Sequence, residues 1–419
     1  MPKKNSPIQF QILAKDKKSR ARAGIIHTRN GIIETPYLIP VATKGEIKSL
    51  SPADIKKINP QALLANTYHL HFNPGDKKIK KIGGLHKFMH FSKPIFTDSG
   101  GFQAFSLGEA KLFGVNKLGK NKEKITSEKV SLLTKITEKG VSFKSIYDNK
   151  WYFLDAKKSM QIQSNLGSDI IMAFDECTAA NKSISQQGKS LERTNKWALQ
   201  SLKYHDKNQA LYGIIQGGQF KKLRLKSTKF ISKLPFDGIA IGGSFGTSYG
   251  DSKKSMNQIL KWIMQELQKN QESYNKPRHM LGIGWIDDLF NCIEQGIDTF
   301  DCVEMTRIAR HGNLYISPKS GGSLKNKFRL NIQKTKFESD KKPIDPLCTC
   351  PTCKKYSRSE IRKIYKKMTQ NKQDEKTKNK YGKLATTHNI HFMLNLVKQI
   401  RESIKANTFH KLKKQWLKN

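Results

Sequence analysis

The sequence predicts a (β/α)8 barrel, and three observations carry that expectation. Six short apolar runs follow one another in order, and each ends in Asp, Gln or Gly. They are Pro94-Ile95-Phe96-Thr97-Asp98-Ser99-Gly100-Gly101, Asp169-Ile170-Ile171-Met172-Ala173-Phe174-Asp175-Glu176-Cys177 and Leu211-Tyr212-Gly213-Ile214-Ile215-Gln216-Gly217-Gly218, then Gly238-Ile239-Ala240-Ile241-Gly242-Gly243, Met280-Leu281-Gly282-Ile283-Gly284 and Thr299-Phe300-Asp301-Cys302-Val303. Near-continuous apolar runs mark strands buried on both faces. The second observation is spacing: intervening stretches such as 190–205 and 255–270 are long enough for helices. The third is placement, because polar residues at successive strand C-terminal ends converge on the face where such barrels build their sites. A doubly wound open sheet shares the βα signal and is the competing architecture.

The elements follow in order. Residues 1 to about 30 read as strands, with Phe10-Gln11-Ile12-Leu13-Ala14, a basic turn, and Ala23-Gly24-Ile25-Ile26. The run Ile39-Pro40-Val41-Ala42-Thr43 opens the barrel. Residues 108–130, rich in Gly, Lys, Asn and Glu, are expected to form an inserted, mobile surface loop. A helix is expected over 359–367, a poorly structured lysine-rich stretch over 368–380, and a basic amphipathic helix over 390–405, with Phe392, Leu394, Val397 and Ile400 on its apolar face. The expected division is 1–335 for the barrel with its N-terminal strands, 336–395 for a metal-binding subdomain, and 396–419 for a basic C-terminal helix and tail.

Charge narrows the partners. The chain has 419 residues, with 77 Lys+Arg against 34 Asp+Glu and a formal net charge of +43. That excess costs self-repulsion in the folded state and points to a polyanion, whose phosphates release counterions when neutralised. The many Lys, Asn and Ile residues also suggest an AT-rich coding sequence, which supplies lysine without forcing the deficit of acids. No run approaches a membrane span, and no apolar core follows Met1-Pro2-Lys3-Lys4-Asn5, so a soluble cytoplasmic protein without a membrane partner is expected.

Three of the six cysteines cluster in Cys348-Thr349-Cys350-Pro351-Thr352-Cys353. In a reducing compartment this favours metal over disulfides. Thiolates at such spacing suit tetrahedral zinc, which needs one more ligand. His388, in Thr386-Thr387-His388-Asn389, is the candidate, and His391 competes with it. A closed Cys3His set is structural rather than catalytic.

A single Asp after a strand is often only a helix cap. Several at successive strand ends have no such common explanation. Asp98 precedes Ser99-Gly100-Gly101, Gln216 is flanked by Gly217 and Gly218, and Gly242-Gly243 offers bare backbone amides. Amide, carboxylate and N–H groups together can read the donor–acceptor edge of a purine, with Phe102 and Leu281 covering its faces. Asp98 and Asp301 would supply an acid/base and a nucleophile for cleaving a glycosidic bond.

At this level of detail the chain resembles the tRNA-guanine transglycosylases of bacterial type. The matching stretches include Pro40-Val41-Ala42-Thr43, Asn66-Thr67-Tyr68-His69-Leu70, Gly83-Gly84-Leu85-His86-Lys87-Phe88-Met89, Thr97-Asp98-Ser99-Gly100-Gly101-Phe102-Gln103, Ile171-Met172-Ala173-Phe174-Asp175-Glu176-Cys177, Phe300-Asp301-Cys302-Val303 with Thr306-Arg307, Arg310-His311-Gly312, and the cysteine cluster with His388-Asn389. The resemblance runs from about residue 10 to 400. It implies a (β/α)8 barrel with a zinc-binding subdomain near the C-terminus. It also implies exchange of the guanine at the anticodon wobble position of tRNA for a 7-deazaguanine base.

By that resemblance Asp301 is the nucleophile on ribose C1′ and Asp98 the general acid/base. Asp175, Gln216 and the Gly243 amide recognise the base, Phe102 and Leu281 stack on it, and Ser99 and Cys177 belong to the same pocket. Cys348, Cys350, Cys353 and His388 hold one structural zinc per subunit. The resemblance also implies a homodimer as the active form. By charge alone, Arg307, Arg310 and Lys354, Lys355, Lys363, Lys366 and Lys367 are candidate contacts to tRNA phosphates, although each taken singly reads as a solvated surface charge. The chain departs from the bacterial pattern at Ser244-Phe245-Gly246-Thr247-Ser248, where an apolar run and a Glu are usual, and at Glu304-Met305, where Leu-Pro is usual. The first departure suggests a more open pocket. The expected incoming base is 7-aminomethyl-7-deazaguanine (preQ1), with queuine as the alternative. No C-terminal RNA-binding extension of the archaeal sort is seen, which points to the anticodon rather than the D-arm. Two readings of other classes are a non-catalytic tRNA-binding subunit and a small-molecule barrel enzyme with a basic surface.

Overall fold

The computed structural model describes residues 6–110, 134–245, 249–371 and 373–417. Eight parallel strands close into a barrel: Tyr37–Ala42, Leu63–Ala65, Ile95–Thr97, Ile170–Met172, Ala210–Ile215, Gly238–Ile241, Arg278–Met280 and Thr299–Cys302. Closure is explicit. The last strand pairs with the first in the register Thr299↔Tyr37 through Cys302↔Pro40, and Ile170↔Phe96 joins the third strand to the fourth. An open sheet would leave two unpaired edges, so the doubly wound alternative is set aside.

All the expected runs but one coincide with barrel strands; the run at 280–284 begins where its strand, Arg278–Met280, ends. Leu63–Ala65 is the strand that the sequence reading passed over. It is entirely buried, and its leucines and alanine carry no β-branched or aromatic signal to mark a strand. Every residue of Tyr37–Ala42, Ala210–Ile215 and Gly238–Ile241 is buried as well, as a sheet covered by side chains inside and helices outside requires.

The N-terminal strands Gln9–Lys15, Arg22–Thr28 and Gly31–Thr35 form an antiparallel sheet. Arg22 anchors it to the start of the last barrel strand through Asp298 at 2.6 Å, a pair with both partners almost fully buried. The insertion after the third barrel strand differs from expectation in what is described of it. Residues 108–110 end the helix Gly101–Ala110, and 111–130 lie outside the described residues. Beyond them, Thr134–Ile136, Val141–Lys144 and Trp151–Leu154 form an antiparallel sheet that the sequence reading did not anticipate.

The C-terminal region corrects two expectations. The stretch 368–380 is largely helical: Arg358–Gln370 runs through its start, and Glu375–Lys405 takes over after the Asp374 cap, whose side chain accepts from the Thr377 N–H. Lysine and glutamate are good helix formers, so polarity there marks an exposed helix face rather than a loop. The helix expected over 390–405 is the second half of this 31-residue element. The boundary drawn between residues 395 and 396 falls inside it.

The long helix serves two cores. Tyr381 and Ala385 pack with Ile361, Tyr365 and Cys353 in a small cluster, while Ile390, Met393, Val397 and Ile400 belong to the barrel's main core. The apolar face of 390–405 is therefore used within the chain itself. A further helix, Phe409–Leu417, sets Phe409 and Trp416 against Phe290. Among the described residues no helix is long and apolar enough to cross a membrane.

Candidate active site and metal centre

The C-terminal ends of the barrel strands bring the predicted polar residues together. Asp98 follows the strand Ile95–Thr97 directly. Its Oδ1 accepts from the Thr67 N–H at 2.9 Å and the Gly100 N–H at 3.2 Å, and its Oδ2 accepts from the Asn66 side-chain amide. Asn66 also caps the helix Thr67–Phe72 through the His69 N–H. A short polar capping turn thus orients the carboxylate. Burial pushes the Asp98 pKa up to about 7; the Thr67 and Gly100 N–H groups oppose the rise, and the nearby Asp301 charge adds to it. The sequence reading quoted Asn66 and Thr67 without giving them a role.

Asp301 ends the last barrel strand. Its Oδ1 accepts from the Gly282 N–H at 2.9 Å and lies 3.2 Å from His279 Nε2. The sequence reading missed His279, which sits in the short buried strand Arg278–Met280 just before the apolar run that was noticed.

Between the two aspartates lies a contiguous group. Gln216 Nε2 donates to Asp175 Oδ2 at 2.6 Å, and Ser99 Oγ to Asp175 Oδ1 at 3.3 Å. Burial raises the Asp175 pKa to about 6, against the pull of the Gln216 and Ser99 hydrogen bonds and with some help from Glu176. Gly243 holds a φ of 93°, and a Cβ there would sit 2.5 Å from Gln216 Oε1. Only glycine allows both that backbone turn and that contact. A Cβ on Gly242 would meet Gln216 at 2.8 Å and Leu281 at 3.3 Å, which puts Leu281 beside the same floor. Phe102 stands 56% exposed on the helix Gly101–Ala110. Cys177 is half-buried two residues beyond Asp175, next to Thr178, whose carbonyl accepts from Ser244 Oγ at 3.1 Å.

One buried cation ties this floor together. Arg224 donates Nε to Gly218 O at 2.7 Å and Nη1 to Ile215 O at 3.0 Å and Gly242 O at 2.9 Å, so it braces the loops on both sides of Gln216. Burial pulls its pKa down to about 9. Phe245 lies over the guanidinium at 5.2 Å, so one residue of the unusual 244–248 loop serves as a lid on this brace. Residues 246–248 fall outside the described residues. The second departure also has a local explanation, since Glu304 pairs with Arg329 at 2.9 Å and Met305 is buried.

Arg307 and Arg310 lie on the helix Glu304–Arg310, just past Asp301. Both are half-buried. Burial, then the neighbouring Arg307 charge, lowers the Arg310 pKa. Among the described residues neither is ion-paired with a carboxylate, so two guanidiniums beside Asp301 suit an anion.

The ligand atoms of Cys348, Cys350, Cys353 and His388 all lie within 4.8 Å of one another. Cys350 caps the short helix Pro351–Lys355 and accepts from the Cys353 N–H, which presents both sulfurs on one side. His388 is fully buried on the long helix, with Nδ1 3.3 Å from Cys353 Sγ and 3.6 Å from Cys350 Sγ. Its Nε2 lies 2.8 Å from Tyr315 O, so the proton sits there and leaves Nδ1 free for a metal. His391 reaches only Cys348, at 3.7 Å, and stands outside the four-atom group. These side chains can hold a metal ion.

Comparison with known proteins agrees with this geometry. The family model described as Queuine tRNA-ribosyltransferase matches residues 16–419. A protein of Archaeoglobus fulgidus, provisionally named a queuine tRNA-ribosyltransferase, is 46% identical over 420 residues, covering 98% of this chain and 99% of its own length. The queuine tRNA-ribosyltransferase of Roseiflexus sp. is 37% identical over 424 residues, with 98% and 99% covered. That of Staphylococcus aureus is 40% identical over 412 residues, with 98% and 96% covered.

Proposed function

The chain belongs to the queuine tRNA-ribosyltransferase family, and from that premise we propose that it exchanges the anticodon wobble guanine of tRNA for a 7-deazaguanine base through a covalent Asp301–ribose intermediate. It is an enzyme of the pentosyltransferase class, a tRNA-guanine transglycosylase. The observation that carries the reading is the pair of carboxylates, Asp98 and Asp301, close enough for one charge to act on the other and separated in function by their partners.

In the first half-reaction Asp301 attacks ribose C1′, the glycosidic bond breaks, and Asp98 gives its proton to the departing guanine. In the second, the carboxylate of Asp98 takes a proton from the incoming base, which attacks C1′ and frees Asp301. A group with a pKa of about 7 holds both forms in comparable amounts near neutrality, as a two-way proton carrier must. Splitting the displacement in two lowers the barrier to losing a poor leaving group.

Asp175 accepts from the base's ring N–H and amino groups, while Gln216 and the Gly243 N–H serve its carbonyl. Leu281 and Phe102 cover the ring faces, with Ser99 and Cys177 at the edge. The target guanine must leave its stack to reach this floor, which is easier in an anticodon loop than in a duplex. Arg307 and Arg310 meet the backbone phosphates. The incoming base is preQ1, the commoner substrate among bacterial-type members, with queuine as the alternative that a more open 244–248 loop would admit.

Zinc is the metal we assign to the cysteine cluster. Three soft thiolates and one imidazole fill a tetrahedral shell, so the ion fastens the 348–353 turn to the long helix. On this reading the enzyme works in the cytoplasm, where its tRNA substrate is used. The resemblance adds a homodimer, for which light scattering in solution is the check.

Labelled guanine supplied with tRNA tests the reading. Label should enter the RNA, and unlabelled preQ1 should chase it out more effectively than queuine. RNA that stays unlabelled under conditions where the protein binds it would leave a tRNA-binding subunit as the better description.

A further inference from the structure

Among the described residues, Asp301 is held from one side only. Its Oδ1 receives the Gly282 N–H at 2.9 Å and faces His279 Nε2 at 3.2 Å, and neither group reaches Oδ2. His279 is itself fixed. It lies on the strand Arg278–Met280, in register with Thr299 of the neighbouring strand, and its side chain is completely buried. Thr299 and Asp301 are two residues apart on one strand, so both point the same way into the barrel. His279 bridges them: Nδ1 lies 3.0 Å from Thr299 Oγ1 and Nε2 lies against the carboxylate. The ring of Phe96 stacks on the imidazole with centroids 5.6 Å apart.

The protonation pattern follows from these contacts. An Nε2 lone pair would face the lone pairs of Oδ1, so the proton belongs on Nε2. Nδ1 then accepts, and the Thr299 hydroxyl, closer to Nδ1 than to the Arg278 carbonyl at 3.5 Å, is the donor that keeps it so.

We propose that His279 is a positioning residue which, with the Gly282 amide, pins Oδ1 of Asp301 and so makes Oδ2 the oxygen that attacks ribose C1′. The inference rests on Asp301 being the nucleophile. A free carboxylate can turn about its last bond and offer either oxygen. Two donors on Oδ1 fix its plane and leave the Oδ2 lone pairs unshared. When the Oδ2–C1′ bond forms and the glycosidic pair leaves with guanine, Oδ1 becomes the ester carbonyl and keeps both donors. When the incoming base attacks C1′, the C1′–Oδ2 pair returns to a carboxylate whose charge is already solvated on Oδ1. Orientation of the carboxylate thus assists the first half-reaction, and stabilisation of the charge returning to Oδ1 assists the second.

The test compares His279→Leu, His279→Gln and Thr299→Val with wild type. Glutamine places an amide N–H near the position of Nε2; leucine offers no donor. Single-turnover formation of the protein–RNA adduct gives a rate and an amplitude, and steady-state exchange gives kcat and KM. His279→Leu should slow adduct formation and kcat by roughly ten- to hundredfold, the worth of one charged hydrogen bond, with KM for tRNA and adduct amplitude near wild type. His279→Gln should recover most of that loss. Thr299→Val, which leaves the imidazole in place, should give a smaller drop in the same step. Equal loss in His279→Leu and His279→Gln, or a fall in amplitude at an unchanged rate, would assign the histidine a structural role and overturn the proposal. So would unchanged kinetics in His279→Leu. A wild-type enzyme that exchanges no guanine would overturn the proposed function along with it.

Discussion

Asp98→Asn should make the folded protein more stable at neutral and alkaline pH, by an amount that depends on pH. The wild-type carboxyl has its pKa raised from 3.8 to about 7, chiefly by burial. The unfolded chain therefore loses this proton well before the folded one does. Stability attached to this group is full below pH 3.8, falls as pH rises through the window up to about 7, and is constant above it. A rise of about 3 units corresponds to about 4 kcal/mol at most. Asparagine carries no charge to desolvate and can still accept from Thr67 and Gly100, but its amide opposes that of Asn66. Losing that contact offsets about 1–2 kcal/mol. The net gain over wild type should thus be on the order of 2 kcal/mol at pH 8 and vanish or reverse near pH 4. Paired thermal or denaturant melts of the two proteins from pH 4 to 8 measure it. A difference that stays flat across this range, or shrinks as pH rises, would refute the argument that a desolvated, proton-retaining Asp98 faces Asp301.

Other outcomes follow from the remaining contacts. Asp175→Asn should raise KM for guanine by roughly tenfold or more in exchange assays while leaving tRNA affinity intact, since it removes a buried acceptor but no phosphate contact. Protein purified without chelator should carry one zinc per chain by elemental analysis. Cys350→Ser should lose it, and hydrogen exchange should show the 348–388 region loosening before the barrel does. Arg310→Ala should weaken tRNA binding and reduce the slope of log K against log salt by about one, read from titrations at several salt concentrations.

Much of the barrel was legible because strands buried on both faces leave unbroken apolar runs, and seven of the eight lie in or directly before one. Leu63–Ala65 was passed over because its leucines and alanine form helices as readily as strands. The lysine-rich 368–380 stretch misled for another reason: an exposed helix face and a loop share the same polar composition, and the Asp374 cap is a single-residue signal. The two strand-end aspartates proposed as catalytic, the glycines and the cysteine cluster could be found because their chemistry needs particular residue types at strand ends or tight spacing. The fourth ligand was harder, since His388 and His391 differ only in which side of a helix meets the cysteines. The supporting residues left little trace. Asn66, His279 and Arg224 act by holding Asp98, Asp301 and the Gly218–Gly242 floor, and those partners are distant in sequence. A histidine beside another basic residue or an arginine within a helix looks ordinary until the barrel closes around it.

The central claim is that Asp301 bonds to the ribose, and a denaturing gel tests it most directly. Wild-type protein incubated with tRNA, with guanine washed out, should give a protein–RNA band that survives denaturation and disappears when guanine is added back. Asp301→Asn should bind tRNA with similar affinity and give no such band, because an amide keeps the shape but not the nucleophile. A band that persists in Asp301→Asn, or one that maps by peptide sequencing to another residue, would contradict the account.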